Sequence, residues 1–241
     1  AMVMRMLSSH VPSISEVGFP YDRVWEDIVS LKQGLCLVTG VTGSGKSTTI
    51  ASLIEYINQE RKTRIITLED PIEFVFESKE SMISQREVGN DVASFSAGLR
   101  SALRENPDII FIGEMRDQET AGLALSAAET GHLVFATLHT NGSVQCINRI
   151  IDVFPPHQQQ QVRAQLSFVL EGVVSQQLMP RSSGSGRLLA VEIMIPNAAI
   201  RNLIREDKVH QIYSQMQVGQ SKFGMQTLNQ SLLSLYQKRL I

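Results

Sequence analysis

The chain has 241 residues, which is enough to bury a full core in one large domain or in one and a half domains. Lys and Arg total 22 against 24 Asp and Glu, so the formal charge is -2 and no overall basic field indicates a nucleic-acid partner. Two cysteines, Cys36 and Cys146, are too few for a disulfide framework or a four-thiolate zinc site. No apolar run approaches the ~18 residues of a membrane span, so we expect a cytoplasmic protein that reaches a membrane through partners.

The first predicted strand is the apolar run Leu35–Gly40, which follows residues without a clear element. It ends in glycine, and apolar residues then recur at helical spacing from Lys46 to about Glu60. A strand, a glycine-rich turn and a helix therefore follow one another. We interpret residues 1–20 as a linker that enters the domain.

Three further apolar runs have strand length and end in polar or ionisable residues: Arg64–Asp70, Asp108–Glu114 and His132–His139. Amphipathic helices separate them, for example Ser94–Arg104 and Glu119–Thr130. This alternation predicts an α/β fold with a mostly parallel sheet that is flanked by helices. Because ligands bind beyond the carboxyl ends of such strands, the polar residues at the strand ends are expected to meet at one site.

Helical patterns dominate the chain after Pro155 and Pro156. One apolar stripe is predicted as a helix and consists of Val162, Leu166, Val169, Leu170 and Val173. The segment RSSGSGR is predicted as an exposed loop between the short strands QQLM and LLAVEIMI. We therefore expect a core domain over residues 21–195 and a helical C-terminal subdomain over residues 196–241.

The segment GVTGSGKSTT, Gly40–Thr49, has the pattern of a phosphate-binding loop. Its glycines let successive N–H groups point at phosphate oxygens, and the helix that follows aims its positive end at the same place. Lys46 is expected to reach the β and γ phosphates, and the Ser47 hydroxyl to bind Mg²⁺. The predicted ligands are therefore ATP and Mg²⁺, and the predicted nucleotide-binding residues are Thr42, Gly43, Ser44, Gly45, Lys46, Ser47 and Thr48.

Ionisable residues at the other strand ends are the candidates for catalysis. Glu114 follows IIFIG and is expected to hold the magnesium shell, directly or through water, or to orient water. Glu69 also ends a strand, and hydrolysis needs a carboxylate near the attacking water. His139 ends the fourth strand, where an imidazole could donate to the γ-phosphate. A cation that neutralises charge could come from Arg86, Arg100, Arg104 or Arg116, among which the sequence does not choose.

Four segments taken together resemble the secretion ATPase superfamily: GVTGSGKSTT, RIITLEDPIEF, IIFIGEMRDQETAGLALSAAETGHLVFATLHT and AIRNLIRE. In order and spacing, the first three segments are similar to its Walker A, Asp-box, Walker B and His-box motifs. The fourth resembles the signature of the PilT type, the retraction ATPases of type IV pili. The similarity extends from about Ser13 to Ile241.

This resemblance implies a RecA-like P-loop core that assembles into a homohexamer at the cytoplasmic base of the pilus machine. ATP would lie between subunits, and its hydrolysis would act on a platform protein of the inner membrane. By motif position, Glu69 resembles the general base, Glu114 the Walker B carboxylate and His139 the sensor of the γ-phosphate. In AIRNLIRE, the apolar face would pack on the core and the face with Arg201 and Arg205 could touch a partner.

Two departures from the family pattern affect this interpretation. Members begin with a PAS-like N-terminal domain that contributes arginines to a neighbour's site, and residues 1–20 would be a remnant of it. We therefore expect these 241 residues alone to bind nucleotide but to hydrolyse it slowly and to assemble weakly. The four-cysteine zinc insertion typical of assembly ATPases is absent, which favours retraction. The alternatives are a pilus-assembly or type II secretion ATPase, a DNA-transfer ATPase and a nucleotide-binding switch that does not hydrolyse ATP.

Overall fold

The computed structural model describes residues 10–20 and 22–241, which form a seven-stranded sheet with helices on both faces. The strands are β1 Gly34–Thr39, β2 Arg64–Glu69, β3 Met82–Glu87, β4 Ile109–Ile112, β5 Leu133–Leu138, β6 Leu170–Pro180 and β7 Arg187–Met194. The helices up to β7 are α1 Ile14–Val17, α2 Asp22–Ser30, α3 Lys46–Glu60, α4 Phe95–Ala102, α5 Gln118–Glu129, α6 Ser143–Asp152 and α7 Pro156–Val169. After β7 come α8 Ala198–Arg205, a 3-10 turn Val209–Gln211, α9 Ile212–Val218, α10 Gln220–Phe223 and α11 Leu228–Gln237.

The strand order across the sheet is β3-β2-β4-β5-β1-β6-β7. Every neighbouring pair is parallel except β6 and β7, which are antiparallel. The predicted α/β fold with a mostly parallel sheet is therefore confirmed. Because β1, β2, β4 and β5 run in one direction, their carboxyl ends lie along the same edge of the sheet.

Two apolar cores cover the two faces of the sheet. On one face, α2 and α3 contribute Trp25, Ile50 and Ile54 against β1, β4 and β5. The other face packs against α4 to α9, with buried residues such as Leu166 and Ile204. A sheet buried on both faces explains why β1, β4 and β5 read as continuous apolar runs in the sequence.

Two elements differ from the sequence prediction. Strand β3, with the sequence MISQRE, was not predicted, because an edge strand half-exposed to solvent carries polar residues and lacks an apolar run. The predicted helix through Val173 was wrong in its last part, since α7 ends at Val169 and Leu170 and Val173 belong to β6. Val173 and its neighbour Val174 are both buried, as expected for a strand covered on both faces.

The segments that flank the sheet pack against it. Phe19, in the predicted linker, is buried and stacks on Trp25 with ring centroids 4.5 Å apart. Residues 1–9 of that linker lie outside the described residues. The predicted helical C-terminal region is present, and Ser231 of α11 accepts a hydrogen bond at 3.1 Å from the Val191 N–H of β7. In the part of the chain that the structure describes, none of the helices has the length and apolar character to cross a membrane.

Candidate functional site

The loop between β1 and α3 is shaped by three glycines. Gly40, Gly43 and Gly45 have φ values of 144°, 79° and 91°, in the region that favours glycine. A Cβ on Gly40 would lie 2.5 Å from both the Gln176 carbonyl oxygen and the Ser44 hydroxyl. The loop leads into α3, a helix of 15 residues whose N-terminus has no side-chain cap. The positive end of this helix therefore lies uncapped at the edge of the sheet.

Lys46, the first residue of α3, folds back over this loop. Its Nζ donates hydrogen bonds to the carbonyl oxygens of Gly40 at 2.8 Å and Val41 at 3.1 Å. The Nδ1 atom of His139 lies 3.3 Å from the same Nζ. Burial lowers the pKa of Lys46, and the charges of Glu114 and Glu73 partly offset that effect. A buried cation held between loop carbonyls is a suitable partner for an anion that enters the loop.

Glu114, which follows β4, contacts an arginine and a histidine. Its Oε2 lies 2.5 Å from the Arg116 guanidinium and 3.2 Å from the His139 Nε2. Burial raises the pKa of Glu114, but the hydrogen bond from Arg116 and the neighbouring His139 outweigh it, so the pKa is lowered. Glu114 is therefore a carboxylate at neutral pH, and His139 links it to Lys46.

Glu69, at the end of β2, is a buried carboxylate with an exposed fraction of 7%. Its Oε1 accepts hydrogen bonds from the Thr67 hydroxyl at 2.7 Å and from the Gln85 amide at 3.0 Å. Burial raises its pKa, while these two side-chain hydrogen bonds and one from the Glu73 backbone act in the opposite direction. A carboxylate with a raised pKa is a stronger base than an exposed one, as general base catalysis requires.

These residues share one cavity of about 600 Å³ at the carboxyl edge of the sheet. The predicted site residues that line it are Thr42, Gly43, Gly45, Lys46, Ser47, Thr48, Glu69, Glu114 and His139. Ser44 does not line the cavity; its side chain is buried under the loop, where its hydroxyl has no hydrogen-bond partner among the described residues. The segments GVTGSGKSTT, RIITLEDPIEF and IIFIGEMRDQETAGLALSAAETGHLVFATLHT therefore meet at this cavity, whereas AIRNLIRE contributes no residue to its lining.

The cavity also has walls that sequence reasoning missed. Arg187, at the start of β7, lines it. The aromatic and apolar side chains that also line it are Phe74, Phe76, Phe95, Phe111 and Leu178. Gln85 of β3, next to Glu69, was also missed. The clustered phenylalanines of the segment IEFVF, just after Glu69, were the available signal. Nothing in MISQRE indicates that Gln85 bonds to Glu69.

The four candidate arginines fall into different environments. Arg116 lines the cavity beside Glu114. Arg86 pairs with Glu105 at 2.7 Å, and Arg100 pairs with Glu119 on the surface. Arg104 is exposed. Of these four arginines, Arg116 is therefore the one that lines the cavity.

The residues at the cavity fit a nucleotide and, together with it, a metal ion. The uncapped N-terminus of α3 and the buried Lys46 together fit a polyphosphate. Across residues 10–20 and 22–241, no group of three or more His, Cys, Asp or Glu side chains could by itself hold a metal. Mg²⁺ is usually bound through one or two carboxylates plus substrate phosphates, so Ser47 and Glu114 fit that role only together with a phosphate.

Comparisons with known proteins agree with this geometry. The twitching motility protein of Neisseria gonorrhoeae is 52% identical over 241 residues, which are 100% of this chain and 64% of that protein. The type IV pilus retraction ATPase PilT of Pseudomonas aeruginosa is 53% identical over 239 residues, 99% of this chain and 68% of that protein. A crystal structure of the pilus retraction motor PilT with bound ADP superposes with a TM-score of 0.91 at 57% identity and covers 98% of this chain and 66% of the other.

The chain thus spans about two thirds of the length of these relatives. A family profile described as type II/IV secretion system protein matches residues 1–184. That range contains the phosphate-binding loop, Glu69, Glu114 and His139, whose side chains meet in the cavity. The chain belongs to the type II/IV secretion system protein family.

Proposed function

We propose that this chain is the ATP-hydrolysing part of a motor that retracts type IV pili. The observation that carries the proposal is the convergence of Lys46, Glu69, Glu114 and His139 on one cavity. The names of the relatives, a twitching motility protein and a pilus retraction ATPase, support retraction rather than assembly of the pilus. The chain has two cysteines, fewer than the four of the zinc insertion typical of assembly ATPases, which is consistent with retraction rather than assembly.

In this proposal, each side chain has a separate task. Lys46 and the N–H groups of the loop bind the β and γ phosphates, and Ser47 and Glu114 would hold Mg²⁺. When bound, the metal neutralises the charge that develops on the phosphate oxygens. The loop is shaped around the phosphates by Thr42, Gly43, Gly45 and Thr48. The buried Ser44 packs beneath the loop, on the side away from the cavity.

Glu69 takes a proton from the attacking water at its carboxylate. The water oxygen bonds to the γ phosphorus while the bond to the β–γ bridging oxygen breaks, which yields ADP and phosphate. His139 touches both Lys46 and Glu114, so it is placed to respond when the γ-phosphate leaves. Arg116 holds Glu114 in the position that this arrangement needs.

The larger assembly belongs to the same proposal. Six copies would form a ring with ATP between neighbouring subunits, at the cytoplasmic face of the inner membrane. The ring would act on a platform protein of the pilus machine and remove pilin subunits from the fibre. The net charge of -2 is consistent with a protein rather than a nucleic-acid partner.

Substitution of the proposed base tests the chemistry. In Glu69→Gln, ATP hydrolysis should fall by about 10² to 10⁴-fold, because the amide cannot accept the proton. ATP affinity should change by less than about threefold, since the substitution removes no phosphate ligand. The measurements are phosphate release and equilibrium binding of ATP, with Glu80→Gln, an exposed carboxylate outside the cavity, as the matched control.

Phosphate release at the wild-type rate in Glu69→Gln would contradict the assignment of the base. The retraction role is tested separately, by expressing the protein in a piliated bacterium that lacks its retraction ATPase. Restored twitching supports retraction. An active ATPase that leaves the cells non-motile would remove the retraction assignment and leave the hydrolysis intact.

A further inference from the structure

The edge strand β3 lies beside the strand that carries the proposed base. In the parallel register of β2 and β3, Gln85 pairs with Thr67 and Glu87 pairs with Glu69. Alternate residues of a strand point to the same face of the sheet. These four side chains therefore form one polar cluster at the end of β2, outside the motifs that bind phosphate.

Gln85 uses its whole amide group in this cluster. Its Nε2 donates to Glu69 Oε1 at 3.0 Å and to the Phe74 carbonyl oxygen at 2.8 Å. Its Oε1 accepts from the Phe76 N–H at 2.9 Å. Both N–H groups and the carbonyl are thus engaged, which fixes the orientation of the amide.

Glu69 Oε1 receives a second donor, the Thr67 hydroxyl at 2.7 Å. Two donors that approach one carboxylate oxygen from neighbouring strands restrict rotation of the carboxylate more than either alone. Glu87 adds a tie to the same region, because its Oε2 accepts from the Ile72 N–H at 3.0 Å. Residues 70–76 are therefore attached to β3 through two side chains, and Phe74 and Phe76 of that loop form one wall of the cavity.

We infer that Gln85 is a positioning residue, which aims the Glu69 carboxylate at the phosphate site and holds the wall formed by residues 70–76. This inference rests on the proposed function, because Gln85 has this role only if Glu69 acts as the base. Gln85 touches neither the phosphates nor the metal in this arrangement. It acts through Glu69 and through the loop.

The inference predicts a change in the pH dependence of hydrolysis as well as in its rate. A hydrogen bond from Gln85 stabilises the charged form of Glu69 and so lowers the pKa of this carboxyl. Without that donor, the pKa of Glu69 rises further above its ordinary value. Since the base must be ionised, the acid limb of the kcat profile moves to higher pH.

Two variants of the natural full-length protein separate positioning from folding. Gln85→Leu removes the amide, and we expect kcat to fall about tenfold or more, with KM for ATP changed less than about threefold. Its acid limb should move to higher pH. Gln85→Glu keeps an acceptor for the Phe76 N–H but places a second carboxylate against Glu69, so its acid limb should move at least as far.

Ser84→Ala is the matched control, because Ser84 lies on the same strand and points to the opposite face from Gln85. It should keep the wild-type kcat and pH profile. The inference is overturned if both Gln85 variants hydrolyse ATP with the wild-type kcat and acid limb while Glu69→Gln is inactive. A lower kcat with an unmoved acid limb also overturns it, since Gln85 would then support only the loop. Full activity in Glu69→Gln would instead reject the proposed base.

Discussion

Arg201 and Arg205 of the AIRNLIRE segment have different surroundings, although both fall on its predicted charged face. The Arg201 guanidinium donates to the Ser167 and Phe168 carbonyl oxygens at 2.9 and 2.8 Å, and it forms a bidentate pair with Glu171 at 3.0 Å. Those carbonyls belong to the last turn of α7, where they have no partner within the helix. The Arg205 guanidinium donates to the neighbouring Asn202 at 3.1 Å and lies over the exposed Phe168 ring at 5.9 Å. Arg201 therefore ties α8 to the end of α7 and to Glu171, whereas the contacts of Arg205 are with Asn202 and the exposed Phe168 ring.

This contrast predicts different effects on stability. Arg201→Ala should lower the free energy of unfolding by about 1–3 kcal/mol, because it leaves helix carbonyls and a half-buried Glu171 without their charged donor. Arg205→Ala should cost less than about 1 kcal/mol, as expected for an exposed cation–π contact. Urea unfolding of both variants measures the difference. Equal costs would show that the bonds of Arg201 add nothing to stability.

The turn between β1 and α3 is constrained by its neighbours. Gly40 has a φ of 144°, and the space where its Cβ would lie is occupied by the Gln176 carbonyl oxygen of β6 and by the Ser44 hydroxyl. The Gln176 amide in turn donates to Thr49 of α3 at 2.8 Å. The loop is therefore held against a neighbouring strand, and its shape does not depend on its own sequence alone.

Gly40→Ala should disrupt this loop for two reasons, backbone strain and a collision with β6. We expect a loss of about 1–3 kcal/mol in stability and at least about tenfold weaker ATP binding, since the N–H groups would be displaced. Gly184→Ala is the control, because its φ of 78° brings the same type of strain but nothing lies within 4 Å of the added Cβ. Unfolding and ATP titration should show that only the Gly40 variant loses affinity. Equal affinity in both variants would contradict the collision.

The sheet as a whole brings residues distant in sequence to one edge. Lys46 follows β1, whereas Glu69, Glu114 and His139 lie at or just beyond the ends of β2, β4 and β5. Since these strands are parallel neighbours between two apolar cores, a ligand that bridges their ends stabilises the entire domain.

Nucleotide binding should therefore be visible in thermal unfolding. ATP at about 100 times its Kd should stabilise the folded state by about 2.7 kcal/mol, which corresponds to a rise in Tm of about 5–10 °C for a chain of this size. Lys46→Met should abolish this rise at the same ATP concentration, because it removes the buried cation that faces the phosphates. Lys62→Met, which changes an exposed lysine, should keep it. A full ATP-dependent shift in Lys46→Met would contradict the role of Lys46.

The fold class and many of the residues that line the cavity could be predicted from the amino-acid sequence alone. Buried parallel strands must be apolar along their whole length, so β1, β2, β4 and β5 were recognisable, and with them the polar residues at or just beyond their ends. The phosphate-binding loop was recognisable because its chemistry requires glycines, a lysine and a hydroxyl at fixed spacing. These features depend on local rules, which a single chain segment displays.

The groups that surround those residues depend on tertiary packing and could not be predicted in this way. Strand β3 is polar and lies at an edge, so no local pattern indicates that Gln85 reaches Glu69. The inward direction of Arg201 depends on where α7 ends, which the apolar stripe of the sequence placed too late. Contacts between strands and helices far apart in the chain are set by packing rather than by local preference, and the hydrogen bonds that tune the proposed base are contacts of this kind.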